Sequence, residues 1–127
     1  MAGTSGNANT TRQVLTAYSS AATTAATLTE YVMTFKGRIK GIRADGEIAG
    51  TGGASTVLDI TVNGTSIWTT GTDRPTLLAA STGAFANTDP TPTLAQVEPG
   101  DLVILKVATI SDTGHARLSL SAGVHIG

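Results

Sequence analysis

DITVNGTSIW, residues Asp59 to Trp68, is the stretch whose reading decides the fold. Asn63 and Gly64 are residues that accept positive φ, as both central positions of a two-residue type I′ hairpin loop require. With that loop, Val62 pairs with Thr65, Thr61 with Ser66, Ile60 with Ile67 and Asp59 with Trp68, and side chains alternate between two faces. Leu58, Ile60, Val62 and Ile67 then share an apolar face, while Asp59, Thr61, Ser66 and Trp68 share a face expected to meet solvent or a partner. Asn63-Gly64-Thr65 and Asn9-Thr10-Thr11 also fit the N-glycosylation pattern, but the turn accounts for the first and low complexity for the second.

On the N-terminal side, Lys36, Arg38 and Lys40 alternate with Gly37, Ile39 and Gly41, which places the cations on one face of a strand. Ile39 and Ile42 are three apart and can both point inward only if Gly41 forms a bulge. Tyr31, Met33 and Phe35 alternate in a strand before it, and the small-residue loop AGTGGAST leads into the hairpin. On the C-terminal side, Thr69 to Pro99 carries Pro75, Pro90 and Pro92 and reads as a long connection with one or two short edge strands, crossing between the sheets of a sandwich. Pro99-Gly100-Asp101 is a turn signal in front of LVILKVATI, whose apolar residues on both parities predict a central strand covered on both sides. In the last strand Leu118, Leu120, Ala122, Val124 and Ile126 face one way and Arg117, Ser119, Ser121 and His125 the other. About eight short strands with glycine-rich turns predict an all-β antiparallel sandwich of the jelly-roll type over residues 28–127.

Composition agrees with this class. The 127 residues suffice for one domain with a core, and aromatic residues are 4% and charged residues 13%, with threonine, serine, alanine and glycine in place of the usual charged surface. A net charge of −1 lacks the basic excess of a nucleic-acid footprint. With no cysteine there is neither a disulfide framework nor a thiolate site. No basic-then-apolar leader and no membrane-length apolar run is present, so the chain reads as a soluble protein made in a cytoplasm. Charge depletion is a property of subunit interfaces.

Residues 1–27 are nearly all small or hydroxylated, with Arg12 the single charge. Val14, Leu15 and Tyr18 suggest a short helical turn or one strand; the remainder is expected to be an extended N-terminal arm, able to reach on the order of 80 Å across a neighbour, or else a loose terminus.

The inventory for catalysis is thin. His115 lies near Asp112 and Arg117 in a turn and His125 at an outward strand position, without the spacing of a metal site, and a structural or surface role is expected for both. The serines lack a nucleophile-elbow context, the glycine-rich loop lacks the lysine of a phosphate cradle, and Asp45 and Glu47 suit a solvated strand edge better than a cation site. No enzyme, cofactor or metal is expected. Trp68 beside Asp59 is the arrangement of a sugar-binding platform, with packing against a neighbour or under the long loop as the competing reading. Lys36, Arg38, Lys40 and Arg43 form a basic strip suited to an acidic partner surface, or a strand edge guarded by charge.

Taken in order, GRIKGIRADGEIAGTGGASTVLDITVNGTSIWTT, the proline-rich connection and VEPGDLVILKVATISDTGHARLSLSAGVHI resemble the jelly-roll capsid decoration (cement) and head-fibre proteins of tailed bacteriophages over about residues 30–126. The matching pieces are Gly37 to Ile42, Ser55 to Ile67, Pro99 to Asp101 and Arg117 to Ile126; Trp68 after the hairpin and the charge-poor arm depart from the pattern. The resemblance implies a homotrimer on the exterior of the virion capsid, made in the cytoplasm of a bacterial host. Contact with the major capsid protein or neighbouring copies would involve Arg12, Val14, Leu15, Tyr18, Lys36, Arg38, Lys40 and Arg43. The alternative is a fibre-tip or receptor-binding module that takes a glycan on Asp59 and Trp68.

Overall fold

Ten strands build the chain in the computed structural model, which describes residues 11–20, 25–49, 55–78, 83–84, 89–109 and 115–126. They are β1 (Thr11–Ser19), β2 (Ala26–Val32), β3 (Gly37–Ile48), β4 (Thr56–Val62), β5 (Thr65–Ser66), β6 (Thr76–Leu77), β7 (Gly83–Ala84), β8 (Gln96–Val97), β9 (Leu102–Thr109) and β10 (Ala116–His125). The pairings nest: β1 with β10, β2 with β9, β3 with β8, and β4 with β5, all antiparallel. Further ladders β10–β3 and β9–β4 roll this long hairpin into two sheets, β1-β10-β3 with β7 and β8 on its far edge, and β2-β9-β4 with β5 and β6 on its far edge. This is the double Greek key of a jelly roll, an all-β antiparallel sandwich.

The opening hairpin has the expected register, Val62 with Thr65 and Thr61 with Ser66, and Asn63 and Gly64 take φ 51° and 87°, the signs a type I′ loop demands. The ladder then stops: Ile67 N still donates to Ile60 O at 3.0 Å, but the expected Asp59–Trp68 pair does not form. The chain leaves the edge and rejoins the same edge of β4 as β6. From there it crosses to the first sheet, where β7 and β8 both pair with β3.

Gly41 is a bulge with φ 70°, and between Ser121 and Gly123 of β10 the partner on β3 moves from Arg43 to Lys40, one residue more than on β10. Ile39 and Ile42 are accordingly both buried. They join Leu15, Ala17, Leu118, Leu120, Ala122 and Val124 against Leu58, Ile60, Val103, Leu105 and Val107 of the other sheet. β9 is central, between β2 and β4, but it is covered on one side: Leu102 and Ile104 are half-buried on the outer face. Ile126 follows the end of β10 and is exposed.

The expected arm over 1–27 needs a different boundary. From Thr11 on, the chain is the edge strand β1, with Leu15 opposite Ala122 and Ala17 opposite Leu120, both buried. Residues 1–10 and 21–24 lie outside the described residues. Tyr31 of β2 seals the open edge of β1: its hydroxyl donates to Thr16 O at 2.9 Å and accepts from Thr16 N at 3.1 Å, taking two backbone groups that no strand pairs among the described residues. Because β1 belongs to the sandwich, Leu15→Ala is expected to lower unfolding free energy by about 2–5 kcal/mol, as a core truncation does. The adjacent Val14→Ala changes it by under about 0.5 kcal/mol; urea denaturation of both variants measures the contrast.

Candidate functional site

Three places, and a buried histidine apart from them, hold the side chains singled out from sequence. The first is the hairpin end. β5 stops at Ser66, which leaves the Ile60 N–H facing no strand, and Asp59 Oδ1 takes it at 2.9 Å while also accepting from Ser66 Oγ at 2.7 Å. Ser66 Oγ accepts in turn from Trp68 N at 3.2 Å, and Arg74 Nε lies 3.5 Å from Asp59 Oδ2. This network ties the 67–75 segment to β4 and buries the expected platform: Asp59 and Trp68 are each only 3% exposed. The parity assigned to Asp59 and Trp68 placed them on a solvent or partner face; the folded-back segment covers that face instead, and neither side chain is available as a glycan surface. Trp68→Ala is expected to cost about 3–5 kcal/mol of stability, measured by denaturant titration.

The second is the junction of the two turn signals. Asn63 Nδ2 donates to Asp101 Oδ1 at 3.0 Å, Leu102 N donates to Asn63 Oδ1 at 2.9 Å, and Asn63 N donates to Leu102 O at 2.8 Å. Asp101 Oδ2 accepts from Glu98 N at 2.8 Å, inside a type II turn with Gly100 at φ 94°. Asn63 thus uses its amide as a structural brace, which accounts for this asparagine without a glycan. The Asn63 side chain, followed by the Glu98 backbone N–H, holds the Asp101 carboxyl below its ordinary value of 3.8. A carboxyl whose pKa is depressed on folding contributes stability above its unfolded pKa and loses it as pH falls through the folded value. Asp101→Ala therefore melts below wild type at neutral pH, and the gap closes as pH drops below 3.8, as thermal unfolding across that range tests.

His115 is fully buried between the sheets. Its Nε2 donates to Leu78 O at 3.2 Å, since a carbonyl can only accept, and Nδ1 then accepts from the Thr56 hydroxyl at 2.8 Å. Gly46 of β3 packs so closely that a Cβ there would stand 3.0 Å from the ring, so the histidine is a packed inter-sheet tie. Asp112, named with it from sequence, lies outside the described residues.

The third place is the outer face of the first sheet. Across β1, β10 and β3 run the rows Val14–Gly123–Lys40, Thr16–Ser121–Arg43 and Tyr18–Ser119–Asp45, and at the far end His125 stands opposite Arg38, which pairs with Gln96 on β8. One border is apolar and hydroxylated, with Val14 58% and Tyr18 61% exposed; the middle is small; the other border is cationic. The bulge makes this possible. Without it Arg43 would share the parity of Ile39; with it Arg38, Lys40 and Arg43 all point outward while Ile42 stays inside. Among the described residues no carboxylate lies within ion-pair distance of Lys36, Arg38, Lys40 or Arg43.

Of the expected contact residues, Val14, Tyr18, Lys36 and Arg43 are exposed and Arg38 and Lys40 half-buried. Arg12 is exposed, its guanidinium 4.8 Å over the Phe35 ring, and Leu15 is a core residue that cannot touch another subunit. Two clefts flank Arg38, one lined by Lys36, Gly37, Arg38, Gln96 and Ile126, the other by Arg38 to Gly41, Asp89, Pro90 and Pro92. Gln96, Ile126 and the prolines carried no sequence signal for this role, because the Thr69–Pro99 connection and the chain end bring them there. No family model matches the chain, and neither a curated protein nor a solved structure matches it.

Proposed function

We propose that this chain is a structural, non-enzymatic subunit that decorates the exterior of a tailed-phage head as a homotrimer and bridges adjacent capsomers. The observation that carries the reading is the two-bordered outer face of the first sheet, with Val14, Thr16 and Tyr18 along β1 and Arg38, Lys40 and Arg43 along β3. In this reading the apolar border joins copies and the cationic border meets acidic surface on the major capsid protein, each trimer adding buried area across joints that internal pressure opens.

Size favours a multi-copy arrangement. Three strands about 4.8 Å apart and about nine residues long at 3.3 Å each span a flat area on the order of 430 Å². That is below the ~800 Å² per partner of a standard interface. One copy alone would hold weakly, and a trimer gains by effective concentration. The burial of Asp59 and Trp68 removes the platform on which a fibre-tip, glycan-binding reading depended.

Analytical ultracentrifugation and binding to expanded empty heads test the proposal. Wild type sediments as a trimer and saturates heads; Tyr18→Asp sediments as a monomer and binds heads at least tenfold more weakly. Arg43→Glu combined with Lys40→Glu stays trimeric but loses head binding, and added salt weakens the wild type in the same direction. A wild-type chain that stays monomeric at high concentration and ignores heads overturns the reading.

A further inference from the structure

Arg38 is the wall between the two clefts, and its surroundings differ on the two sides. The cleft of about 230 Å³ toward Lys40 contains a carboxylate of the chain itself, Asp89. Among the described residues that line it, the cleft of about 270 Å³ toward Lys36 has no carboxylate: Lys36 and Arg38 meet the amide-bearing Gln96 and the exposed apolar side chain of Ile126. Arg38 Nε is buried without a hydrogen-bond partner among the described residues. A guanidinium in that state gains from any acceptor that lets it turn its donor edge outward, because a carboxylate can take Nε–H and Nη–H together in a side-on pair.

We infer that the cleft between Lys36, Arg38, Gln96 and Ile126 is a carboxylate-binding site that takes an acidic side chain of a partner protein. Three features select this occupant. The planar fork of Arg38 matches a carboxylate bidentately. At about 270 Å³ the open cleft lies at the low end of small-molecule sites and has room for one acidic side chain. Its walls are mostly apolar, with Ile126 and two residues that have long hydrocarbon stems, Lys36 and Arg38, among the lining, which suits a group with a hydrocarbon stem behind its charge and suits phosphate poorly. Gln96 supplies an amide donor for the second oxygen. The inference names the chemistry of the cationic border proposed above, yet it stands on the cleft and is tested without heads.

The test is an amide-detected NMR titration of the full chain with the capped dipeptide acetyl-Glu-Leu-amide, its neutral analogue acetyl-Gln-Leu-amide, and inorganic phosphate. The glutamate peptide is expected to shift Gly37, Arg38, Gln96 and Ile126 saturably, at a midpoint at least tenfold below that of the glutamine peptide or phosphate. Arg38→Gln abolishes the difference between the two peptides, Arg38→Lys reduces it, and Lys106→Gln, on β9 of the second sheet, leaves it in place. Equal midpoints for the two peptides, tighter binding of phosphate, or an unchanged preference in Arg38→Gln overturns the assignment. Shifts at the same four residues on concentrating the chain alone overturn the partner assignment in favour of a second copy. Peptide binding together with failed head binding rejects the decoration reading and leaves the cleft standing.

Discussion

The coupling of Asn63 to Asp101 and Leu102 is the constraint on which the other alignments rest. In a nested hairpin the inner pair β4–β5 forms locally, but β4 must also find β9, and their facing ends lie far apart along the chain. Because side chains alternate with period two, a slip of one residue between β4 and β9 would turn Val103, Leu105 and Val107 to the outside. Asn63 prevents it by engaging Leu102 through both its backbone N–H and its side-chain oxygen. Gly100 N donates to Met33 O and Met33 N to Asp101 O, so the end of β2 is fixed at the same corner. Three strands thus receive their register at one point, built from residue types chosen first for turn geometry.

Registers in the first sheet are set differently, by a defect. The bulge at Gly41 shifts β3 against β10 by one residue and converts a sequence that alternates imperfectly into a strand with one clean inner face. Its inner consequence is Ile39 and Ile42 in the core, and its outer consequence is three cations in a row. Both follow from one glycine, so the cationic border cannot be altered by changing β3 register without unpacking the core beneath it.

Much of this was legible in the residues. The Asn63-Gly64 loop, the pairing beyond it, the Gly41 bulge and the alternation of β10 are local facts, written in φ preference and parity. What was not legible depends on distant chain. The strand at Thr11–Ser19 is composed of residues with little apolar bulk, and Leu15 and Ala17 become core because β10 offers them a ladder and Tyr31 closes their far edge. Asp59 was given the right parity and the wrong surroundings, since the outer face of β4 is covered by the 67–75 segment through Arg74, Ser66 and Asp59, and Trp68 lies past the last ladder pair, where no strand parity applies. The cleft at Arg38 joins β3 to Gln96 and Ile126, residues far from it in sequence, so no spacing could have announced it.

These features give the sandwich two unlike sides, and that asymmetry has a physical consequence. On the second sheet, Asp59 and Thr61 of the outer face are buried and a hydrogen-bonded loop occupies part of the side. On the first sheet the outer face is regular, and at its cationic border the charges have no internal counter-charge within ion-pair distance among the described residues. A charge paired within the domain is already neutralised and adds little to steering or specificity, whereas an unpaired one acts, within a screening length, on whatever approaches. The domain therefore has a direction. Any carboxylate-bearing surface that approached would be favoured at one side of it, and there the apolar border along β1, with Val14 and Tyr18 exposed, lies across the same sheet face.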